Sequence, residues 1–178
     1  MTVERRFHGT TLRLVRDDIT TLAVDAFVFY AQPDLKLGSG FGNAISLRAG
    51  PAVQEELNTL GPRAVTDVVL TGAGKLKAKH VLHAVGPTFQ EEGLPEKLAA
   101  TIRNALRLAE NKGLKRIAFP PMGAGFYGVP LAQSIQITLD SIRDHLAGKT
   151  TLEEVILCAN DGREYRPFQA RLEQFSDS

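Results

Sequence analysis

Residues 121–128 read Pro-Met-Gly-Ala-Gly-Phe-Tyr-Gly, and their place in the chain predicts a strand, a glycine loop and a helix. A short apolar run at residues 116–119 precedes them, and an amphipathic run begins near Pro130. Three glycines within six residues let the backbone adopt positive φ and approach a ligand closely. Because the first turn of the next helix offers unpaired N–H groups, the loop suits an anion, most often phosphate. A strand-to-helix turn without a ligand remains the alternative.

A second glycine loop occurs earlier in the chain. Residues 37–42 read Leu-Gly-Ser-Gly-Phe-Gly, follow the apolar run 26–31 and lead into a helical run that starts near Asn43. Neither loop has the full GxGxxG spacing of a dinucleotide fingerprint, and neither is followed by the Lys-Ser/Thr of a P-loop. Two such loops in one small domain therefore predict backbone recognition of two phosphates.

Length and composition limit the class of protein. The chain has 178 residues, 43% of them hydrophobic, and a formal net charge of +1 without a long basic block. We expect one domain, 1–178, that is cytoplasmic and makes no contact with a membrane, because neither a signal peptide nor a membrane span is apparent. The single cysteine, Cys158, lies in an apolar run and is expected to be a buried structural thiol.

Short apolar runs alternate with helical periodicity, which predicts an α/β layer fold. Several of the apolar runs do not alternate with polar residues, so we expect strands covered on both faces. The predicted strands are 11–15, 26–31, 67–71, 80–85, 116–119 and 154–159. The predicted helices are 43–49, 51–60, 95–113, 130–148 and 164–175.

Five motifs in order along the chain are similar to those of the macrodomain family, whose members bind ADP-ribose and in some branches hydrolyse its derivatives. They are Arg-Asp-Asp-Ile-Thr at 16–20, Val-Asp-Ala-Phe-Val at 24–28, Gly-Ser-Gly-Phe at 38–41, His-Ala-Val-Gly-Pro at 83–87, and Phe-Pro at 119–120 followed by the loop at 123–128. This resemblance runs from residue 11 to residue 175. It implies a three-layer α/β/α fold with a mixed, largely parallel central sheet.

The same resemblance assigns the adenine end of a ligand site. It implies that the carboxylate of Asp18 accepts a hydrogen bond from the exocyclic amine of adenine, while the N–H of Ile19 serves a ring nitrogen. Without the resemblance, Asp18 reads as a turn residue that ends a strand. Asn160 falls where many members place an aromatic ring against adenine. Its amide cannot stack on adenine and can only form hydrogen bonds.

The two glycine loops and Gln32 take the rest of the implied ligand. Ser39, Gly40 and Phe41 match the loop that contacts one phosphate and the distal ribose, and Gln32 matches an asparagine that contacts that ribose. The residues matching the loop around the other phosphate are Gly123, Ala124, Gly125, Phe126 and Tyr127. Phe126 is implied as a lid, while Tyr127 is expected to pack more on the core.

Departures from the family pattern favour binding over catalysis. Phe29 replaces one family asparagine, and Gly42 replaces an aspartate found in active hydrolases of one branch. His83, the histidine of the fourth motif, lies in an apolar strand pattern and is expected to be structural. We assign no catalytic residue and no cofactor. We expect no metal, because no His/Cys/Asp cluster has metal-ligand spacing.

The expected ligand is ADP-ribose or an ADP-ribosylated protein, and three alternatives stay open. One is a hydrolase that removes ADP-ribose from acceptors or deacetylates O-acetyl-ADP-ribose. Another is a module that binds RNA or poly(ADP-ribose); nucleic acid is disfavoured but not excluded. The basic rim of such a binding module would comprise Lys36, Arg48, Lys75, Lys77 and Lys79. The last is a degenerate interaction module whose ribose pocket is closed by Phe29, Tyr30 and Phe41.

Overall fold

The computed structural model describes residues 3–38 and 40–178. Seven strands and five α-helices occur in them. The strands are β1 (Val3–Phe7), β2 (Thr10–Arg16), β3 (Ala26–Ala31), β4 (Val68–Gly72), β5 (His80–Val85), β6 (Arg116–Phe119) and β7 (Glu154–Ala159). The helices are α1 (Phe41–Ala49), α2 (Ala52–Asn58), α3 (Leu94–Asn111), α4 (Leu131–Leu146) and α5 (Gly162–Leu172).

The strands form one mixed sheet in the order β1-β2-β7-β6-β3-β5-β4. The pairs β2–β7, β7–β6, β6–β3 and β3–β5 are parallel, whereas β1 and β4 each join an edge antiparallel. The expectation of a mixed, largely parallel sheet is therefore confirmed. Parallel strands need both faces covered, which explains why β3 is buried along its whole length.

Helices pack on both faces of the sheet and complete three layers. Side chains of α1 and α2, such as Ile45 and Val53, share a core with Phe27 and Phe29 of β3. The other face carries a core with side chains of α3, α4 and α5. Since successive residues of a strand point to opposite faces, β3 contributes alternately to the two cores.

The sheet order decides where a ligand can bind. Strands β2, β7, β6 and β3 are adjacent and parallel, so the loops that leave their carboxyl ends meet along one edge of the sheet. These loops begin near residues 17, 160, 120 and 32. Open α/β sheets bind ligands at this edge, and both glycine loops lie there.

Element bounds differ from the sequence prediction at a few places. Strand β1 was not predicted, because its sequence Val-Glu-Arg-Arg-Phe carries three charged residues and only one face is partly buried. The last helix begins at Gly162 rather than 164 and ends at Leu172 rather than 175, with Asp161 as its N-cap. The prediction for 51–60 was also too long, since α2 ends at Asn58.

Strand β1 is an edge strand whose outer side is occupied by the last residues of the chain. The N–H of His8 donates to the carbonyl oxygen of Ser178 at 2.8 Å, and the N–H of Ser178 donates to the carbonyl of Arg6 at 2.8 Å. The Asp177 carboxylate also accepts a hydrogen bond from the N–H of Arg6 at 2.7 Å. Residues 177–178 thus pair with the outer edge of β1.

Among the helices of the described residues, none is long and apolar enough to cross a bilayer.

Candidate functional site

A cavity of 370 Å³ opens at the edge of the sheet where the parallel strands end. Its size falls within the range typical of small-molecule sites. Both glycine loops contribute to its wall, together with the ends of β2, β3 and β7. The predicted site residues among those that line it are Ile19, Gln32, Gly40, Phe41, Gly123, Ala124, Gly125, Phe126, Tyr127 and Asn160.

The first glycine loop ends in the N-terminus of α1. Gly40 is the N-cap, and among the described residues no side chain caps the helix, which leaves N–H groups of the first turn available to a ligand. The ring of Phe41 stacks on that of Phe29, with centroids 6.3 Å apart and planes inclined by 22°. Ser39 lies outside the described residues. The start of α1 is therefore held against β3 by aromatic packing.

Gly42, in the first turn of α1, lies against the preceding loop. A β carbon at this position would overlap the carbonyl group of Leu37. The position that carries an aspartate in some hydrolases of the family it resembles therefore has no room here for a side chain. A carboxylate could be introduced only by moving the backbone.

The second glycine loop curves around the opposite side of the cavity. Gly123 and Gly125 have φ values of +82° and +76°, and Gly125–Tyr127 forms a single 3-10 turn. Such alternation of backbone conformation aims successive N–H groups into a concavity that suits an anion. No described atom lies within 4 Å of the position of a β carbon on Gly125, so this side of the loop is open.

Two tyrosines stand between the second loop and the sheet. The ring of Tyr30 lies 4.5 Å from that of Tyr127, and its hydroxyl donates to the carbonyl oxygen of Pro87. Tyr30 occupies the space over Gly86, where a β carbon would collide with its ring. Burial raises the pKa of Tyr127 to about 12 and, with Tyr127 and Glu91 nearby, raises that of Tyr30 as well. Both phenols are neutral at physiological pH.

Asp18 is the predicted residue that the structure does not place on the cavity wall. Its carboxylate caps the 3-10 turn Ile19–Thr21, accepting hydrogen bonds from the N–H of Thr20 at 2.9 Å and from its hydroxyl at 2.7 Å. The guanidinium of Arg48, on α1, forms an ion pair with the same carboxylate. Desolvation opposes ionisation, but the bonds from Thr20 and Arg48 outweigh it and lower the pKa of Asp18.

Residues not singled out from the sequence complete the wall at this end. Asp17 lies next to Asp18, and Glu164 stands in the first turn of α5, where its carboxylate accepts the N–H of Asn160 at 2.7 Å. The side chain of Cys158 lies in the same region, and its thiol donates a hydrogen bond to the carbonyl oxygen of Asp17 at 3.2 Å. The N–H of Glu164 donates to the carboxylate of Asp161, the N-cap of α5. An Asp followed three residues later by a Glu is typical of a helix N-terminus, and this pattern could have indicated Glu164 from the sequence.

Cys158 is only 3% exposed, which confirms the expectation of a buried cysteine. Burial, with Asp17 nearby, raises its pKa to about 12. A thiol in this state has almost no thiolate at neutral pH and is a poor nucleophile.

His83 lies beneath the site in the core and not on the cavity wall. Its Nε2 is 2.8 Å from the hydroxyl of Thr71, and its ring meets Phe29 edge-on with centroids 6.0 Å apart. Burial lowers the pKa of His83 to about 3, so the imidazole is neutral at physiological pH. These contacts place His83 in the core, and among the described residues its other ring nitrogen, Nδ1, is buried without a hydrogen-bond partner.

The chain is similar in sequence to known proteins. The family model described as "Macro domain" matches residues 30–138. An O-acetyl-ADP-ribose deacetylase from Enterobacter is 37% identical over 169 residues, which cover 92% of this chain and 94% of that protein.

Two solved structures show the same architecture. An Oceanobacillus iheyensis macrodomain with ADP superposes with a TM-score of 0.92 at 27% identity, covering 97% of this chain and 95% of that one. A Trypanosoma brucei macrodomain in complex with ADP-ribose gives a TM-score of 0.85 at 30% identity, covering 90% of this chain and 68% of that one. With the family model matched across both glycine loops and the fold shared along nearly its whole length, the chain belongs to the macrodomain family.

Proposed function

We propose that this macrodomain binds ADP-ribose, free or attached to a protein, in the cavity between its two glycine loops. The observation that carries the proposal is the convergence of both loops on one cavity at the carboxyl edge of four parallel strands. Solved relatives with the same fold hold ADP and ADP-ribose. The cavity persists beside Phe29, Tyr30 and Phe41, which argues against a degenerate module with a closed pocket.

The pyrophosphate would lie between the N-terminus of α1 and the second loop. Adenine would lie at the end lined by Ile19 and Asn160, and the distal ribose at the end lined by Gln32. A carboxylate has about four acceptor positions, and the described partners of Asp18 use three of them. One position therefore remains for the exocyclic amine of adenine, with Arg48 keeping the carboxylate ionised.

A second candidate function is hydrolysis, because three relatives that are 34%, 36% and 37% identical to this chain are named O-acetyl-ADP-ribose deacetylase. Two observations weigh against it. Gly42 has no space for a carboxylate, and Phe29 fills its position with a ring that stacks on Phe41. Among the described residues that line the cavity, the carboxylates are Asp17 and Glu164, both near the ends of β2 and β7.

Those carboxylates lie far from the proposed ribose end. Asp17 follows β2, which is three strand spacings, or about 14 Å, from β3; Glu164 follows β7, which is two spacings, or about 10 Å, from β3 at the usual distance between neighbouring strands. A general acid or base must come within hydrogen-bond reach of the reacting atoms. Asp17 and Glu164 are therefore badly placed for chemistry near Gln32.

Binding to RNA or poly(ADP-ribose) through a basic rim receives little support. Arg48 is paired with Asp18, and the ammonium of Lys79 lies 3.6 Å from the Asp25 carboxylate. Two of the five rim candidates are thereby partly neutralised. A nucleic-acid site needs uncompensated charge along one face.

Titration calorimetry with ADP-ribose, ADP and AMP tests the proposal. We expect micromolar affinity for ADP-ribose, corresponding to about −8 kcal/mol. Lack of detectable binding at millimolar ADP-ribose would contradict the proposal. In parallel, O-acetyl-ADP-ribose turnover should be very slow or absent beside the Enterobacter deacetylase; a comparable rate would establish the hydrolase instead.

A further inference from the structure

A second cavity, of 550 Å³, adjoins the first on the outside of the second glycine loop. Gln32, Phe126 and Tyr127 line both cavities, and the outer cavity is completed by Pro33, Asp34 and Thr88. The two spaces thus share a wall at the end of the site assigned to the distal ribose. The outer cavity is open to solvent and could accept groups attached to that ribose.

The shared wall has an anchored part and an exposed part. Tyr127 packs on Tyr30 with centroids 4.5 Å apart, and its carbonyl oxygen accepts the N–H of Phe89 at 3.1 Å. Phe126 meets Tyr127 edge-on, with ring centroids 5.2 Å apart, but the residue is 74% exposed. An apolar ring held in solvent beside an open, largely apolar cavity offers a contact surface to a further group.

Charge on the outer cavity comes from Asp34. Its Oδ1 accepts the backbone N–H of Lys36 at 2.9 Å, and among the described residues it forms no ion pair. After burial, Asp34 is the further cause that raises the pKa of Tyr127, so its negative charge reaches the shared wall. By contrast, Glu91 is balanced by Lys97 at 2.9 Å.

We propose that the outer cavity holds the peptide segment of an ADP-ribosylated protein and that Asp34 selects segments with Lys or Arg beside the modified residue. The proposal rests on ADP-ribose occupying the inner cavity. Free ADP-ribose ends at the shared wall and leaves the outer cavity empty. A modified protein must continue through this opening, where an uncompensated carboxylate attracts a cation and repels an acidic neighbour.

The test compares two peptides that carry ADP-ribose on a central serine, one flanked by lysines and one by glutamates. Calorimetry measures both, with ADP-ribose and the unmodified peptides as reference ligands. We expect the lysine peptide to bind about two- to fivefold more tightly than the glutamate peptide, as is usual for an exposed ion pair. The difference should shrink at high ionic strength.

Variants assign the preference to one carboxylate. Asp34→Asn retains an acceptor for the N–H of Lys36 and should abolish the preference, and Asp34→Lys should reverse it. Neither change should alter affinity for ADP-ribose. Asp144→Asn is the control, because Asp144 lies on α4 away from the outer cavity with a side chain 73% exposed.

The outcomes separate the two proposals. If ADP-ribose binds but the peptides show no charge preference, or Asp34→Asn keeps it, the inference about Asp34 is wrong and the proposed function stands. If ADP-ribose itself does not bind the wild-type protein, the proposed function fails and the inference fails with it.

Discussion

Phe29 of β3 and Phe41 of α1 stack with their ring centroids 6.3 Å apart. The contact joins the centre of the sheet to the end of the first glycine loop, and the edge of Phe29 rests on His83. In the family pattern an asparagine occupies the position of Phe29. At this position the chain has a ring that packs on the loop and no amide that could contact a ligand.

Phe41→Ala should destabilise the fold and weaken ADP-ribose binding several-fold, because the loop loses its attachment to β3. An aromatic pair contributes about 0.5–1.5 kcal/mol beyond its buried area, and we expect a total loss of about 1–2 kcal/mol. Chemical denaturation and calorimetry measure the two effects. Leu47→Ala on the same helix is the control, since that residue is 77% exposed. Equal behaviour of both variants would show that the stack is unimportant.

Asp18→Ala should lower the affinity for ADP-ribose tenfold or more, because a hydrogen bond to a charged group is worth about 1.5–3 kcal/mol. The substitution also removes the cap of a 3-10 turn and the partner of Arg48. Arg48→Ala removes the ion pair but keeps the carboxylate, so it should weaken binding less. An unchanged dissociation constant for Asp18→Ala would refute the adenine assignment.

Gly125→Glu should abolish ADP-ribose binding, because it places bulk and negative charge beside the proposed pyrophosphate site. Like charges about 4 Å apart cost roughly 1 kcal/mol in water and several times more in a partly buried site. Open space surrounds the position, but the φ of +76° is strained for any side chain and should cost about 1–2 kcal/mol of stability.

Gly125→Ala is the matched control for that experiment. It introduces the same backbone strain without the charge or the length, so it should lower the thermal midpoint similarly and retain binding. Binding by the Glu variant would mean that this loop does not hold the phosphates.

Gly42→Ala tests whether the first turn of α1 has space for a side chain. Alanine normally stabilises a helix relative to glycine by about 1 kcal/mol. Here its β carbon would overlap the carbonyl of Leu37, so we expect a net loss of about 1–3 kcal/mol in urea denaturation. Gly9→Ala is the control, because no described atom lies within 4 Å of that position. A stabilised Gly42→Ala variant would disprove the close approach.

His83 should make the stability of the protein fall as the pH falls below 6.5. Its pKa in the folded state is about 3, so the unfolded chain binds one more proton between these values. The free energy of unfolding then decreases by up to about 1.4 kcal/mol for each pH unit on acidification. His83→Gln keeps a polar partner for Thr71 but has no such proton, and its unfolding free energy should fall less steeply. If the unfolding free energy falls equally steeply with pH in the wild type and in His83→Gln, His83 is not the cause of the acid destabilisation.

The buried strands were predictable because they carry continuous apolar runs. Residues 26–31, 80–85, 116–119 and 154–159 have the bounds of β3, β5, β6 and β7. Strand β1 was missed because an edge strand needs no such run. Parallel neighbours then bring both glycine loops to one edge, so the location of the cavity also follows from the sequence pattern.

The finer arrangement of the site depends on residues distant in the chain. Arg48 reaches Asp18 from a helix 30 residues away, and no local pattern reveals that pair. Tyr30 fills the space left by Gly86, a position whose importance is visible only once β3 lies beside β5. Packing between elements, rather than local periodicity, determines these contacts.

The hydrogen bonds between Ser178 and the backbone around β1 have a consequence for self-association. An uncovered edge strand presents unpaired N–H and C=O groups that can template pairing with another molecule. Here two backbone bonds from Ser178 and one from the Asp177 carboxylate occupy such groups at Arg6 and His8. The edge of the sheet formed by β1 is thereby shielded at Arg6 and His8 against strand-to-strand aggregation, by two residues that contribute nothing to the hydrophobic core.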